Sequence, residues 1–359
     1  MKRALFLFTA ASLLFGCSSD LDINAPYKNI TVVYGLLNMR DSIHFVKINK
    51  AFLGEGDALV YAQVPDSSEF HGEDITRAMV IRIQNGNRVD SFPLHDTLLT
   101  DREPGTFYSP DQRLYYFREN QTYLLPQSNV LVYLDQNSTY ELDLEIKGER
   151  ITGSTSIVND FSIQTVDQSL TVPANFMNGT NGYGAYELNW TSNLDGKRTE
   201  AFYRFNYDEI RGSDTLRKTV TTRIGSRVSS NTASTEGMSL LIDGQAFYSG
   251  LANAIPDDPS VDQRRFTGLE FLFTVANDDF HTFLSLSEPI SGIIEDRPAW
   301  SNMDGAYGIF ASRYNKDVGG RLLGKTLNDA SLNELINGQF TGNRRFCSAF
   351  NVGAPYGCN

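Results

Sequence analysis

Between Thr139 and Ile146 the chain alternates without a fault. Tyr140, Leu142, Leu144 and Ile146 fall on one side, and Glu141, Asp143 and Glu145 on the other. A period of two is the period of a strand with one buried face, and a helix scatters the same residues around its circumference. Lys147-Gly148-Glu149-Arg150 reads as a turn, and Ile151 to Ile157, rich in Thr and Ser, as the returning strand. The same grammar recurs along the chain. Ile30 to Leu37 is mostly apolar, and Ile43 to Ile48 is strand-like. Met79 to Ile83 leads through Asn85-Gly86-Asn87, a hairpin signal, to Val89-Asp90-Ser91-Phe92. Farther on, Tyr186 to Trp190 alternates, Tyr203, Phe205 and Tyr207 alternate with polar residues, and Leu269, Phe271, Phe273 and Val275 share a face. With 23 Phe and 17 Tyr against 2 Trp, the aromatic supply is the kind that strands accept.

These patterns predict an all-β chain of two β-sandwich domains of the immunoglobulin or fibronectin type III-like kind, with a short C-terminal helix. The first sandwich spans 23–159 and the second 160–324, followed by a C-terminal helix and Cys loop in 325–359. The polar, Gly- and Asn-rich stretch 160–185 reads as a domain junction followed by a loop. Residues 211–262, rich in Ser, Thr, Arg, Gly and Asp, read as an insertion in the second domain, with Thr219–Ile224 and Ser239–Ile242 as strands inside it. The helix is expected over Thr326–Asn337, where Ser331 and Glu334 match a capping box, and a second short one over Asp278–Leu286.

The N-terminus carries an address. Lys2 and Arg3 precede the apolar run Ala4–Phe15, too short for a bilayer span, which needs about 20 residues. Residues 1–16 therefore read as a signal peptide. Leu14-Phe15-Gly16-Cys17 looks like a bacterial lipobox, with Phe where Ala or Ser is usual; Cys17 becomes the lipidated first residue, and 17–22 the polar tether. Two or three acyl chains on one Cys hold a protein stably on a membrane. Cys347 and Cys358 remain, an even number for an oxidising compartment. A disulfide between them closes a short loop for roughly 3 kcal/mol; two free thiols are the alternative.

Chemistry is harder to find. The net charge of −12 argues against nucleic acid as a partner. His44, His71, His95 and His281 stand apart, at no metal-ligand spacing, and no HExxH, GxSxG or phosphate-binding fingerprint occurs. Gly54-Glu55-Gly56-Asp57 lacks the spaced acids of a calcium loop. The acidic pairs Asp257-Asp258, Asp278-Asp279 and Glu295-Asp296 are neighbours in sequence, which points their side chains apart. No catalytic residue, cofactor or metal ligand is assigned. The aromatic cluster Phe107-Tyr108, Tyr115-Tyr116-Phe117 and Tyr123 is the better lead for binding, with core strands as the competing reading.

Several segments carry a resemblance: Asp22-Ile23-Asn24-Ala25-Pro26, Thr31 to Leu37, Val46 to Gly54, and above all Trp300 to Ser312. Together they resemble an uncharacterised family of Bacteroidota outer-membrane lipoproteins, a domain of unknown function. Its Ser-Asn-x-x-x-Gly-x-Gly-x-Phe element is matched by Ser301, Asn302, Gly308 and Phe310, while Ala306 holds the first Gly position and Gly305 stands one residue early. The resemblance implies a lipoprotein of two β-rich domains, facing the cell surface beside an outer-membrane transporter, and it supplies no catalytic residues. The phylum's O-glycosylation pattern is met at Asp41-Ser42-Ile43, Asp96-Thr97-Leu98 and Asp214-Thr215-Leu216, making Ser42, Thr97 and Thr215 candidate sites. The expected function is non-enzymatic: a membrane-anchored binding or assembly component with a glycan or peptide ligand. A surface hydrolase of polysaccharide or peptide and a structural or adhesion subunit are the alternatives.

Overall fold

In a computed structural model the described residues are 28–53, 57–109, 111–125, 130–163, 172–179, 182–288, 300–319, 324–351 and 355–358. The alternating segments become strands. β1 (Lys28–Leu37) and β2 (His44–Leu53) pair antiparallel, and the short helices α1 (Ala58–Ala62) and α2 (Pro65–Ser68) follow. β3 (Ile75–Gln84) and β4 (Asn87–Pro93) form the Asn-Gly hairpin, with Asn85 and Gly86 both at positive φ (52° and 77°), as a tight turn matching strand twist requires. β5 (His95–Leu99) pairs β6 (Gln112–Phe117), and β7 (Tyr123–Leu125) pairs β8 (Val130–Val132). β9 (Thr139–Ile146) and β10 (Glu149–Ser156) turn on Lys147-Gly148.

The second half continues with the short pair β11 (Met177–Asn178) and β12 (Gly182–Tyr183), then β13 (Ala185–Thr191), β14 (Arg198–Arg211), β15 (Asp214–Val228) and β16 (Gly237–Asp243). Helix α3 (Gly244–Ala254), β17 (Gln263–Ala276), α4 (Asp278–Ser287), β18 (Met303–Asp304), β19 (Tyr307–Val318), α5 (Asp329–Asn337) and β20 (Phe346–Ser348) complete it.

One long sheet runs β15-β14-β17-β19-β1-β2-β6-β5, with β20 beside β17, and a second runs β18-β10-β9-β3-β4. The second sheet faces the β19–β6 part of the first, and Phe92 stacks on Phe117 across the gap with centroids 5.6 Å apart. The β13–β16 ribbon and α3 cover the other end. Trp190 meets Phe273 there at 5.4 Å, and Phe247 packs against Tyr203 and Phe205. Burying each such side chain contributes roughly 1.5–3 kcal/mol.

Strand β19 belongs to both ends. Its residues Tyr307–Ser312 pair in parallel with Val32–Leu37 of β1, and Arg313–Val318 pair antiparallel with Phe271–Ala276 of β17. The Ser-Asn-Gly-Phe element is what fastens it. The Asn302 amide donates to Phe310 O at 2.8 Å and accepts from Phe310 N at 2.9 Å, so a side chain stands in for a strand neighbour. Gly305 takes the turn at φ 79°. Gly308 has φ 113°, and a Cβ there would lie 1.9 Å from Val33 O. Ser312 is fully buried; its hydroxyl donates to Ser156 O at 2.6 Å and accepts from Val158 N at 3.2 Å, joining β19 to the end of β10.

Several expectations change. Residues 211–262 are built into the layers as β15, β16 and α3. Asp243 caps α3 by accepting from Ala246 N, and Phe247, Tyr248 and Leu251 give it a buried face. The C-terminal helix starts at Asp329 and not Thr326, and its cap is Asn328 rather than Ser331. The Ser331 hydroxyl instead accepts from Phe176 N at 2.9 Å. Two ladders, β1–β19 and β10–β18, join residues from either side of position 159/160. Cys347 and Cys358 form a disulfide beside β17.

On β17, opposite Phe346 of β20, Arg264 is fully buried. It donates to Glu209 Oε1 at 3.1 Å, Arg344 O at 2.9 Å and Pro256 O at 3.0 Å. Removing one partner of such a pair leaves an uncompensated charge. Arg264→Met is expected to lower unfolding free energy by about 3–5 kcal/mol in urea titrations. Gly308→Ala is expected to cost about 1–3 kcal/mol for backbone conformation alone, with the clash on Val33 O adding to it. A midpoint equal to wild type in the same titration would refute the close approach.

Candidate functional site

The outer face of the long sheet carries one of the apolar patches of the described surface. Alternation turns Val33, Val46 and Ile48 inward, so Tyr34, Leu36, Phe45 and Lys47 point out. Asn277 caps α4 by accepting from Phe280 N, which seats the helix beside β19. Phe280 and Phe283, one turn apart on α4, then face the sheet. Tyr34 meets Phe283 edge to face with centroids 6.2 Å apart. The groove between them has a volume of about 360 Å³ and is lined by Leu114, Ile309 and Arg313 as well. Tyr34 and Phe45 remain 44% and 43% exposed, which is unusual for rings that could have been buried, and Tyr307 is exposed near by on β19.

Two cations stand in this groove. Arg313 is half-buried; its Nε is buried with no hydrogen-bond partner, and among the described residues no carboxylate pairs with its guanidinium. Lys47, cross-strand from Tyr34, has no ion-pair partner among the described residues either. Burial, then the nearby Arg102, holds its ammonium below the usual lysine range, while Glu69 opposes them. Asp41 is the one acid in the lining, and Asn38 donates to it at 3.1 Å.

In two other polar sites the charged groups are already paired. At the junction of the two ends, a cleft of about 410 Å³ is lined by Asn159, Asp160, Ser162, Thr191 and Ser192. Asp160 there accepts from Tyr314 and from Lys316, each at 2.8 Å. The second is Glu119, buried at 7% exposure, which pairs with Arg82 at 3.0 Å and accepts from Tyr140 at 2.7 Å and from Tyr123. Burial pushes this carboxyl up, and the two tyrosines and Arg82 pull it back. The arrangement resembles an acid–base centre, but the cluster is closed to solvent and fastens β7 to β9.

The residues singled out from sequence scatter. The aromatic cluster divides by strand parity: Tyr115 and Phe117 are core, Tyr116 turns outward against Phe45 at 6.3 Å, and Phe107 is exposed. Asp279 is half-buried, accepts from Asn302 at 3.0 Å and is raised by burial, so it holds the β19 clip. Asp258 serves its own loop, accepting from Ser260 and Arg211. His71 is exposed. Among the described residues no group of three or more His, Cys, Asp or Glu could hold a metal. Ser42 and Thr215 are exposed and Thr97 is half-buried on β5. Cys17, Gly54 to Gly56 and Glu295-Asp296 lie outside the described residues. The groove itself escaped the sequence reading. Tyr34, Lys47, Phe283 and Arg313 come from four elements, and only their convergence gives them meaning.

No protein-family model matches this chain, and no curated protein does. A solved structure, the C-terminal globular domain of oligosaccharyltransferase from Pyrococcus abyssi, is similar at 10% identity over 69% of this chain and 46% of its own, with a TM-score of 0.23. The chain therefore spans less than half of that structure. No described helix is long and apolar enough to cross a membrane.

His44 is buried on the core side of β2 at 2% exposure, against Phe117 with ring centroids 4.9 Å apart. Neither ring nitrogen has a partner, and burial pushes its pKa down to about 4. The folded protein thus refuses a proton that the unfolded chain accepts near the ordinary histidine value of 6.5. The associated stability is complete above pH 6.5 and is lost as pH falls towards 4, a change of about 3 kcal/mol. His44→Leu is expected to flatten this limb of the stability curve, measured by urea midpoints across that range. An unchanged slope would show that other groups set it.

Proposed function

We propose that this chain is a non-enzymatic lipoprotein of the bacterial outer membrane, anchored through acyl chains on Cys17, and that it binds glycan at the cell surface beside a transporter. On this reading it belongs with the Bacteroidota lipoproteins that it resembles, and its layers act as two sandwich-like units sharing strand β19. The tether 17–22 keeps the protein at the membrane, and Ser42 and Thr215, both exposed, are open to O-glycosylation. Thr97, half-buried on β5, is the less accessible of the three candidates.

The observation that carries the binding role is the groove between α4 and the β1–β2 face. Aromatic rings left uncovered around a shallow groove stack on the apolar faces of sugar rings. Lipid anchoring suits such a site, because it holds a capture surface at the membrane without a spanning helix.

Protease treatment of intact cells, with immunoblotting and a Cys17→Ala control, tests the location. Wild type is expected to be cleaved and the control to leave the membrane fraction. Protection of wild type would turn the protein to the periplasm and remove nutrient capture. A glycan panel tests the groove: Tyr34→Ala is expected to weaken binding at least tenfold with an unchanged melting temperature. Equal binding by this variant would move the site elsewhere.

A further inference from the structure

A guanidinium can donate to neutral sugar hydroxyls, but a partly desolvated one with no anion beside it is matched best by a carboxylate. Arg313 is therefore the residue to explain. It lies on β19 just past Ser312, where the strand changes neighbours from β1 to β17. Several buried and half-buried arginines of the described structure are answered by carboxylates, while Arg344 is held by backbone carbonyls and Arg102 lies over the Phe107 ring. Arg264 has Glu209, Arg82 has Glu119, and Arg198 has both Glu200 and Glu288. Among the described residues no carboxylate answers Arg313, although the protein carries twelve more acidic than basic side chains. A partly desolvated guanidinium without an anion is costly, and bidentate carboxylate binding is the interaction its planar fork suits best. Lys47 adds a second positive charge to the same lining, and Tyr34, Phe45 and Phe283 form its walls.

We infer that the groove takes an acidic sugar, a uronic acid unit within an oligosaccharide, whose carboxylate pairs with Arg313 and whose ring face lies on Tyr34 or Phe45. This rests on the glycan-binding reading above and adds the ligand's charge. The open shape of the groove suits a chain of sugar rings passing across the sheet, and its volume of about 360 Å³ holds one or two of them at a time. Lys47 contributes long-range attraction, which salt screens, while the Arg313 pair is shielded by burial.

The test uses the full chain in detergent, titrated calorimetrically with trigalacturonate and with galactotriose as its neutral counterpart. The acidic trisaccharide is expected to bind at least tenfold more tightly. Arg313→Gln is expected to erase most of that difference by weakening the acidic ligand far more than the neutral one, with the melting temperature as in wild type. Arg313→Lys should restore part of the preference. Tyr34→Ala should weaken both ligands, since stacking does not depend on charge. Equal affinity of wild type for the two sugars, or a preference that survives Arg313→Gln largely intact, overturns the inference while leaving a neutral glycan groove standing. Binding of neither sugar overturns the groove reading together with the inference.

Discussion

Everything in this fold leans on the parallel pairing of β1 with β19. Residues some 275 positions apart meet there, as in the bond from Arg40 to Asn315 O at that separation. The approach is close enough that only a glycine at 308 leaves room for the Val33 carbonyl. Such a contact is expensive to form, because loop closure must precede any reward from the ladder. The Asn302 amide offsets part of this by satisfying both backbone groups of Phe310 where no strand lies beside them. Ser312, buried against the end of β10, fixes the same strand to the second sheet. With β19 held, one layer becomes continuous from β15 to β5.

That continuity also explains where polar chemistry is tolerated. Inside, charges occur only with their answers: Arg264 with Glu209, Glu119 with Arg82 and two tyrosines, Asp160 with Lys316 and Tyr314. Each is a solved desolvation problem and therefore a structural device. His44 is a titratable group in the core whose ring nitrogens lack partners, and it is accommodated by remaining neutral. Outside, the long edge strand β15 carries Arg217, Lys218, Arg223 and Arg227, charges that discourage edge-to-edge pairing with another chain. The groove beside α4 follows neither rule. Its rings stay uncovered and its guanidinium unanswered.

Local physics was legible in the sequence, and non-local physics was not. Period-two alternation from Thr139 to Ile146 and the Asn-Gly turn at 85–86 depend on near neighbours, so both strand and hairpin were readable. Helix α4 was readable for the same reason, from Phe280, Phe283 and Leu284 at helical spacing. Helix α3 was legible and overlooked: Asp243 is an ordinary cap, and Phe247, Tyr248 and Leu251 make an ordinary apolar face. Ser331 shows the limit of a capping motif, since its hydroxyl is taken by a distant backbone group, Phe176 N, while Asn328 caps the helix. Residues 301–310 stood out as an element, but nothing local revealed that Asn302 acts as a substitute strand.

By itself, then, the sequence determined the strand-rich class, the positions of the turns, an even cysteine pair and the lipobox-like start, because each depends on residues close together in the chain. Tertiary structure alone decided that β19 would serve two neighbours, that His44 and Glu119 would be buried, and that Tyr34, Lys47, Phe283 and Arg313 would share one groove. The physical reason is parity and register. A side chain's face follows from its own strand, but its neighbours follow from which distant strand lies alongside, and that is settled only when the layers close.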